Sequence, residues 1–481
     1  MTMGLEPVKQ RAMDTGRAGT VDNASCTRVE GEKRGEGKAA CPEACRLAEI
    51  DISAAGPRCK MLLGDLNGDG RMELLLVQPD NRQDVRYIPH QVQCLTAFDL
   101  DGRLLWQHGK PDPGAGSQGS DYPAQIYDLD GDGKLEVLSV INGRFYMLAG
   151  EDGSVKKVCD LPDPEAHDCI VIANLSGGER ASDIILKDRY RRIWALNHDF
   201  ELLWTHEGNT GHYPWACDLN GDGYDEVMAG YDLLDHQGHV LWSCRDLEDH
   251  ADCIWVGDVN GDGAPELVIG GSVTVMYSRD GKELWRYDGS IESQHIALGK
   301  FRSDLPGLQV AGLDRMVRED DGKGLKGKDA LFMLDGEGRE LWKEERQTSG
   351  WLTIAETLSG WHPGAPDYIL AYRRGGGVFP ALYDGEQRIV AQFGHEGYAV
   401  HGDLLGRGTE QVIIYDDELA VLFASEPLEL SGAFAAGFES FDSPSGGSLV
   451  QGSRPPGPLP QPKRLYNSTL YPGGEVDWRK G

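Results

Sequence analysis

The chain has 481 residues, of which 40% are hydrophobic and 26% charged, and a formal net charge of −31 at pH 7. This length suits two or three average domains or one large β architecture, and the strong acidity excludes a general affinity for nucleic acid or for an anionic membrane. No apolar stretch reaches the length that a membrane span requires.

The amino-terminal segment is polar and rich in glycine. It lacks the apolar core of a secretory signal, so we expect residues 1–45 to be a disordered leader and the protein to be cytoplasmic, with an extracellular location as the alternative. Ten cysteines are scattered along the chain without the spacing of a metal site. Reduced thiols agree with the cytoplasmic expectation.

Four turns share the pattern Asp-x-Asn/Asp-Gly-Asp-Gly-x-x-Glu, at residues 65–73 (turn 1), 128–136 (turn 2), 218–226 (turn 4) and 258–266 (turn 5). Side-chain oxygens at positions 1, 3, 5 and 9, with a backbone carbonyl at position 7, form a cage suited to a hard cation, and glycine allows the tight fold. We therefore predict Ca²⁺ as the cofactor. The predicted ligands are Asp65, Asn67, Asp69, Glu73, Asp128, Asp130, Asp132, Glu136, Asp218, Asn220, Asp222, Glu226, Asp258, Asn260, Asp262 and Glu266.

An EF-hand loop begins in the same way, but it needs a bidentate Glu at position 12 and a helix on each side. Here the last acid is at position 9, and an apolar run of strand length follows each turn, at residues 74–77, 137–140, 227–230 and 267–270. The pattern indicates strand–loop–strand calcium turns.

Weaker copies of the turn bring the number of repeats to eight. Turns 3, 6, 7 and 8 begin at Asn174, Lys300, Thr357 and Asp403. Lys300 and Arg302 occupy positions 1 and 3 of turn 6, and Arg407 occupies position 5 of turn 8. We expect a side-chain cation to take the place of the ion in such turns, which should not need calcium.

A hairpin pattern that ends in tryptophan recurs in phase with the turns, closing at Trp106, Trp204, Trp242, Trp285 and Trp342. Each repeat therefore reads as four strands, and eight such repeats predict an all-β fold, an eight-bladed β-propeller over residues 46–430. We expect the tryptophans to pack as wedges between blades. The Gly/Ser/Pro-rich segment that follows predicts a C-terminal arm, residues 431–481, packing on the propeller.

Chain polarity separates two faces of such a propeller, because the calcium turns end the inner strands and the strand starts lie at the other face. Near those starts are His167, Asp168, His212, Tyr213, His250, Asp252 and His295. The loops that join second to third strands open on the same face and carry His90, Arg144, Lys187, Arg189, Tyr190 and Arg191, with further arginines at 86, 315, 318, 373 and 374. A cationic rim on an acidic chain would attract an anionic substrate.

This combination of residues suits removal of a proton beside a carboxylate. Histidine accepts protons near neutral pH, and guanidinium pairs with carboxylate and so acidifies the adjacent C–H. That chemistry is β-elimination on a uronic acid. His212 is the first choice of base, with His167, His250 and His295 as alternatives and Tyr213 beside them. Arg189, Arg144, Lys187, Tyr190, Arg191 and His90 would hold the substrate, and Asp168 with Asp252 would bind an additional calcium.

The acidic turns resemble the FG-GAP repeats of integrin-like propellers. Together with Gly211-His-Tyr-Pro, Lys187-Asp-Arg-Tyr and Asp249-His-Ala-Asp, they look like the calcium-binding rhamnogalacturonan lyases with eight-bladed propellers. The resemblance covers most of residues 50–420. It implies cleavage of the rhamnose–galacturonate linkage by β-elimination with calcium, and hence an acidic oligo- or polysaccharide as the partner.

Two other functions are compatible with the same fold. A non-catalytic glycan- or protein-binding FG-GAP propeller would use the calcium turns only for structure and would lack a selectively placed base. A quinoprotein-like propeller is the third interpretation, since Leu-Asp-x-x-Gly-x-x-Leu-Trp resembles the tryptophan-docking repeat of quinoprotein dehydrogenases. Those proteins commonly carry adjacent cysteines, which this sequence does not have.

Overall fold

The structure, a computed structural model, describes residues 43–79, 92–115, 124–244, 246–247, 249–320, 325–349, 353–373 and 379–428. In these residues lie thirty-two strands and one short 3-10 helix, Ser53–Ala55, and the strands form eight four-stranded antiparallel sheets. The first strands of neighbouring sheets pack against one another around a ring. The chain is therefore an eight-bladed β-propeller, as predicted.

The blades follow one another in chain order, and within blades 1 to 7 the strands run from the inside to the outside. Blades 1 to 4 comprise β2 (Lys60–Gly64), β3 (Glu73–Gln78), β4 (Cys94–Phe98), β5 (Leu104–Gly109); β6 (Ala124–Tyr127), β7 (Glu136–Ile141), β8 (Arg144–Ala149), β9 (Val155–Asp160); β10 (Asp168–Ala173), β11 (Asp183–Lys187), β12 (Arg192–Leu196), β13 (Leu202–Glu207); and β14 (Trp215–Cys217), β15 (Glu226–Ala229), β16 (Asp232–Leu234), β17 (Val240–Ser243). Blades 5 to 7 comprise β18 (Cys253–Gly257), β19 (Glu266–Gly270), β20 (Thr274–Ser278), β21 (Glu283–Tyr287); β22 (Ser293–Gly299), β23 (Gln309–Asp320), β24 (Leu325–Leu334), β25 (Glu340–Ser349); and β26 (Thr353–Leu358), β27 (Tyr368–Arg373), β28 (Ala381–Tyr383), β29 (Ile389–Gln392).

Blade 8 closes the ring with strands from both ends of the described chain. It contains β30 (Tyr398–Gly402), β31 (Gln411–Tyr415) and β32 (Leu419–Ala424), and its outermost strand is β1 (Cys45–Asp51). β1 pairs antiparallel with β32, from Cys45 opposite Ala424 to Asp51 opposite Leu419. The inner strand β2 of blade 1 packs against β30 of blade 8 on one side and against β6 of blade 2 on the other.

The inner and second strands are apolar because both of their faces are covered. β2, β3, β10 and β11 are buried at every residue, whereas the outermost strand β13 alternates between exposed and half-buried residues. This explains why the runs after the acidic turns are continuously hydrophobic while the outer hairpins are mixed.

The tryptophans join consecutive blades, as predicted. The indole N–H of Trp204 donates to the backbone carbonyl of His236 in blade 4, and the ring packs on Gly238 of the same hairpin. The same bond to the next blade is made by Trp106 to Gly150, Trp242 to Arg279, Trp285 to Gly336 and Trp342 to Gly385. Each bond satisfies a polar atom that the packing of the ring removes from water.

Several sequence predictions fall outside the described residues. They are the leader up to residue 42, the C-terminal arm from residue 431, His90 and the arginines at 86 and 374. Within the described residues, no helix has the length and hydropathy that crossing a membrane would require.

Candidate functional site

Four side chains from three neighbouring blades meet at the starts of the inner strands. Tyr190 comes from the β11–β12 connection of blade 3, His212 precedes β14 of blade 4, and His250 and Asp252 precede β18 of blade 5. Turns 4 and 5 follow the other ends of β14 and β18. The cluster therefore lies on the face opposite to the acidic turns, where the sequence predicted the site. We call these four residues the histidine cluster.

The polar atoms of the histidine cluster converge. His212 Nε2 lies 3.3 Å from His250 Nε2 and 3.4 Å from the Tyr190 hydroxyl, and Asp252 Oδ1 lies 3.4 Å from each of the two Nε2 atoms. The Tyr190 ring packs on both imidazoles, with centroid distances of 4.4 Å to His250 and 5.3 Å to His212. All four residues are buried. The aromatic contacts fix the rings so that the nitrogen atoms face one another.

The electrostatics of the cluster act on His250 and Asp252. Burial alone would lower the pKa of His250, but hydrogen bonds and charge from Asp252 and Asp249 prevail and raise it above its ordinary value. Burial would likewise raise the pKa of Asp252, yet its contacts with His212 and His250 hold that pKa below the usual range. The Asp249 carboxylate is 2.7 Å from His250 Nδ1, so it orients the ring with Nε2 towards the cluster. These contacts favour the positively charged form of His250.

Lys187 and Arg189 lie beside the cluster, and both are buried. The Lys187 ammonium donates to the backbone carbonyls of Arg189 and Gly211, and it lies 4.0 Å from the Asp168 carboxylate. Arg189 is 3.4 Å from the same carboxylate, and both cations lie within 6 Å of the centre of the Tyr190 ring, at 5.9 and 5.6 Å. The sequence placed both residues among the uronate-binding groups. Their burial and ion pairs instead suit positioning of the Tyr190 loop, and contact with substrate stays a prediction.

The remaining predicted catalytic residues lie outside the cluster. Tyr213 is buried, and its hydroxyl contacts the Cys253 thiol at 3.0 Å and the backbone of Ile254, which is a packing role between β14 and β18. His295 is buried within β22 of blade 6, and His167 is half-buried just before β10. Neither belongs to the group of residues whose ligand atoms converge.

Of the predicted substrate-binding cations, Arg191 is the one exposed on the Tyr190 loop. Its side chain is 54% exposed, and it pairs with Asp188 at 3.2 Å and Glu165 at 3.3 Å. Arg144 is 49% exposed and pairs with Asp160 on blade 2, which contributes no residue to the cluster. The cationic groups are therefore distributed more widely around the ring than the histidines. Arg315, Arg318 and Arg373 lie in β23 and β27, where the structure describes their backbone.

Two further residues near the histidine cluster had no predicted role. Asp249, the first residue of the motif Asp249-His-Ala-Asp, orients His250 and has a left-handed backbone with φ of 60°. Tyr231 lies in the β15–β16 connection of blade 4, and burial together with the charges of Asp252 and Asp249 raises the pKa of its phenol. The sequence could have indicated Tyr231 through its position in the repeat, because Tyr190 lies in the corresponding connection of blade 3.

His212, His250 and Asp252 offer three ligand atoms within 4.8 Å of one another, so they could also hold a metal ion. Two imidazole nitrogens and one carboxylate suit a transition metal, whereas calcium prefers a cage of oxygens. The predicted calcium site of Asp168 with Asp252 does not fit this geometry, because Asp168 is engaged by Arg189 and Lys187 and is absent from the converging group.

The acidic turns share two hydrogen bonds. The Oδ2 atom of the first Asp accepts the backbone N–H of the second Gly, as in Gly70 to Asp65 at 2.9 Å and Gly223 to Asp218 at 3.0 Å. The final Glu accepts the N–H of position 2, as in Leu66 to Glu73 at 2.7 Å. Both glycines of turn 1 have a positive φ, 76° and 87°. The glycines are required for this chain path.

The turns also contain buried carboxylate oxygens that suit a cation. Asp65 Oδ1 is buried without a hydrogen-bond partner. Burial, with nearby Asp side chains, raises the pKa of Glu73, Glu226 and Glu266 to about 7. Ionised carboxylates in such surroundings need a counter-charge, and a cage of oxygens is what calcium prefers. The residues of turns 1, 4 and 5 therefore fit the predicted ion.

Side-chain cations lie in two other turns. Lys300 Nζ donates to the carbonyls of Leu305 and Gly307 within turn 6, at 2.8 and 2.7 Å. That this ammonium takes the place of an ion stays a prediction. The guanidinium of Arg302, at position 3, pairs with the carboxylate of Asp304, at position 5 of the same turn, at 2.6 Å. In turn 2, Lys156 contacts three of the four predicted ligands.

Comparison with known proteins gives two relatives of the same kind. No family model matches the chain. The rhamnogalacturonan exolyase YesX of Bacillus subtilis (strain 168) is 26% identical over 258 residues, which cover 41% of this chain and 42% of that protein. The rhamnogalacturonan endolyase YesW of the same strain is 26% identical over 268 residues, which cover 43% of this chain and 42% of that protein. The matches span less than half the length of each relative.

A solved structure shares the fold. The crystal structure of the exotype rhamnogalacturonan lyase YesX superposes with a TM-score of 0.55 and 17% sequence identity, covering 81% of this chain and 75% of that one. This chain is thus an eight-bladed propeller that resembles rhamnogalacturonan lyases both in sequence and in fold.

Proposed function

We propose that this protein is a polysaccharide lyase that cleaves a rhamnogalacturonan-type glycan by β-elimination at a galacturonate. The carrying observation is the convergence of His212, His250, Asp252 and Tyr190 at the face opposite to the acidic turns. The two curated relatives support the substrate class. An acidic oligo- or polysaccharide is the partner that follows from this function.

The reaction needs a base beside a neutralised carboxylate. The base takes the proton from C5 of the galacturonate, the C5–H electrons form the C4=C5 double bond, and the C4–O bond breaks. The departing rhamnose oxygen then receives a proton, so the products are an unsaturated uronide and a free hydroxyl. No oxidant or water enters the balance, and proton transfers of this kind contribute typically 10²–10⁴-fold to rate.

We assign the base to His212. Its Nε2 atom faces the Tyr190 hydroxyl and the Nε2 atom of His250, both of which carry protons to donate when His250 is charged. A neutral imidazole has one acceptor nitrogen with one lone pair, so the galacturonate C5–H must displace these donors for His212 to take the proton. His250, whose pKa is raised, suits the charged role beside the substrate carboxylate or the leaving oxygen. The side chains are 4% and 9% exposed, so the galacturonate would bind directly over the cluster.

We assign contact with the uronate carboxylate to Arg191. It is the exposed cation on the loop that carries Tyr190, and a guanidinium pairs with a carboxylate through two parallel hydrogen bonds. Lys187 and Arg189 would not contact the substrate. Their ion pairs with Asp168 would hold the Tyr190 loop in place.

We also propose that calcium binds turns 1, 4 and 5 through the ligands predicted there. Its contribution would be to neutralise the buried carboxylates and fix the turns, on the face opposite to the reaction. Turn 2 differs from these three, because it has Asp130 at position 3 and an additional contact from Lys156.

The experiment is a lyase assay on rhamnogalacturonan oligosaccharides, read as ultraviolet absorbance of the unsaturated uronide. We expect His212→Ala to lower the rate about 10²–10⁴-fold. The matched control is His239→Ala, since His239 is 73% exposed and pairs with Asp235 in the outer hairpin of the same blade. The control should keep its rate, and both variants should unfold at a similar temperature.

The result would also separate the roles within the cluster. Full activity of His212→Ala with loss in His250→Ala would move the base to His250. Turnover that survives in both variants would contradict the proposed site. A folded wild-type protein that is inactive on every uronate polymer tested would instead favour the non-catalytic binding propeller.

A further inference from the structure

One side chain outside the acidic turns distinguishes blade 2 from the other blades that carry such turns. Lys156 lies in β9, the outermost strand of blade 2. Its ammonium is 2.7 Å from Asp130 Oδ2, 2.9 Å from Asp132 Oδ2 and 2.7 Å from Glu136 Oε1. An ammonium has three N–H donors, and here three carboxylates surround it. Those carboxylates are predicted metal ligands.

The cage that Lys156 enters is compact. Ligand oxygens of Asp128, Asp130, Asp132 and Glu136 lie within 4.8 Å of one another, which is the arrangement expected around a single cation. The lysine side chain is 25% exposed, and Glu136 is buried. A divalent ion and an ammonium in the same small cage would repel each other, so the two cations compete for it.

The register of the blades shows that Lys156 has replaced an apolar residue. In blade 2 the pairs Met147–Lys157 and Leu148–Val155 leave Lys156 as the bulged residue between β8 and β9. The bulged residue at the same place is Leu105 in blade 1, Leu241 in blade 4 and Leu284 in blade 5. The three other blades with acidic turns therefore have no ammonium at this position.

A second difference in blade 2 compensates the charge of the lysine. Position 3 is Asp130 in turn 2, whereas turns 1, 4 and 5 have Asn67, Asn220 and Asn260. The extra carboxylate and the lysine together leave the four ligand positions of turn 2 with the same net charge as those of the other turns. Turn 6 also has an ammonium inside it, since Lys300 donates to two carbonyls of its own turn.

We propose that the Lys156 ammonium takes the position of the ion in turn 2. Calcium would then bind turns 1, 4 and 5 but not turn 2. This inference rests on the proposed binding of calcium to the acidic turns. Its consequence is a blade whose turn keeps its structure when free calcium falls.

The test counts bound calcium per chain by native mass spectrometry and by equilibrium dialysis. Lys156→Leu places in blade 2 the residue found in blades 1, 4 and 5, and it should bind one more calcium than the wild type. The matched control is Lys157→Leu, because the Lys157 ammonium lies over the Phe200 ring, 4.3 Å from its centroid, and not in the turn. The control should bind the same number of ions as the wild type.

The reverse substitution keeps the test decisive if Lys156→Leu does not fold. Leu241 is 52% exposed, and Leu241→Lys should cost blade 4 its ion, so that this variant binds one calcium fewer. Equal numbers in the wild type and in Lys156→Leu, or in the wild type and in Leu241→Lys, would overturn the role of Lys156 while leaving calcium binding intact. Absence of bound calcium from every variant would overturn the calcium proposal itself, and this inference with it.

Discussion

At the scale of single residues, the contact between blades is a matched pair of a tryptophan and a glycine. Gly238 has a φ of 82°, and a Cβ at that position would lie 2.7 Å from Cδ2 of Trp204. Gly153, Gly281 and Gly338 meet Trp106, Trp242 and Trp285 in the same way. At these four positions glycine provides both the left-handed backbone and the room that the indole occupies.

The boundary between blades 2 and 3 has a contact at the same place, but neither residue is a tryptophan or a glycine. In blade 2, Lys157 takes the place of the tryptophan, and in blade 3 Phe200 takes the place of the glycine, with a φ of 68°. The Lys157 ammonium lies 4.3 Å from the centre of the Phe200 ring, so the aromatic group and its partner have exchanged sides. The Phe200 ring also packs on Phe145 of blade 2, at a centroid distance of 4.9 Å. Lys157, Phe200 and Phe145 thus fill the space between blades 2 and 3.

We predict that Gly238→Ala destabilises the fold through both requirements. The left-handed backbone costs an alanine about 1–2 kcal/mol, and overpacking against Trp204 adds roughly 1–3 kcal/mol. Gly364→Ala is the matched control, because Gly364 has a φ of 72° and no atom within 4 Å of an added Cβ. Urea unfolding should show a smaller loss for the control. Equal losses would mean that the indole moves aside without cost.

At the scale of elements, the second strand of every blade except blade 7 begins with a side chain that accepts a backbone N–H of the turn before it. Glu73 accepts the backbone N–H of Leu66, and in the degenerate turns Asp183, Gln309 and Gln411 accept backbone N–H groups of their own turns. This acceptor persists where metal ligands have been lost. An acid at this position is therefore weak evidence for calcium, and the side chains at positions 1, 3 and 5 carry more information.

The strand β1 is the element on which ring closure depends. Ile50 of β1 is buried against the main core, although β1 is an outermost strand. We predict that Ile50→Ala lowers the free energy of unfolding by about 2–5 kcal/mol, the usual cost of a cavity. Ile389→Ala in the outermost strand β29 is the control, because Ile389 is 39% exposed and should lose less than about 1 kcal/mol. A small effect of Ile50→Ala in thermal melting would show that β1 contributes little to closure.

At the scale of the whole molecule, the net charge of −31 opposes a compact fold. Much of the repulsion is local to the acidic turns, where carboxylates are buried near one another. Ions bound in those turns would remove repulsion that dissolved salt reaches poorly, because buried charges are screened less than exposed ones.

We therefore expect chelation to lower Tm. An ion that binds the folded chain at one hundred times its Kd stabilises it by about 2.7 kcal/mol for each site. Adding calcium back should restore Tm, whereas an equal ionic strength of sodium chloride should restore only part of it. A Tm that is unchanged by a strong calcium chelator would contradict calcium binding in turns 1, 4 and 5.

The sequence predicted the fold well because the turn pattern repeats in phase with the Trp hairpins, and both depend on local geometry. It also named His212, His250 and Asp252, since strand polarity places all strand starts on one face. It did not predict that Lys187 would be buried, because that depends on Asp168 and the Gly211 carbonyl, which come from other parts of the chain. The contact of Lys156 with turn 2 was not predicted for the same reason. The lysine lies outside the turn motif, and its side chain reaches the turn because Lys156 is the bulged residue of β9.

The pairing of β1 with β32 also determines when the propeller can finish folding. During synthesis β1 leaves the ribosome before every other strand of the ring, and β32 leaves it after all of them. Until translation passes Ala424, the nascent chain therefore has an unpaired strand at its leading end and an incomplete eighth blade. A ribosome that stalls earlier would present both open edges to neighbouring chains, so strand exchange between copies is the characteristic error that this closure invites.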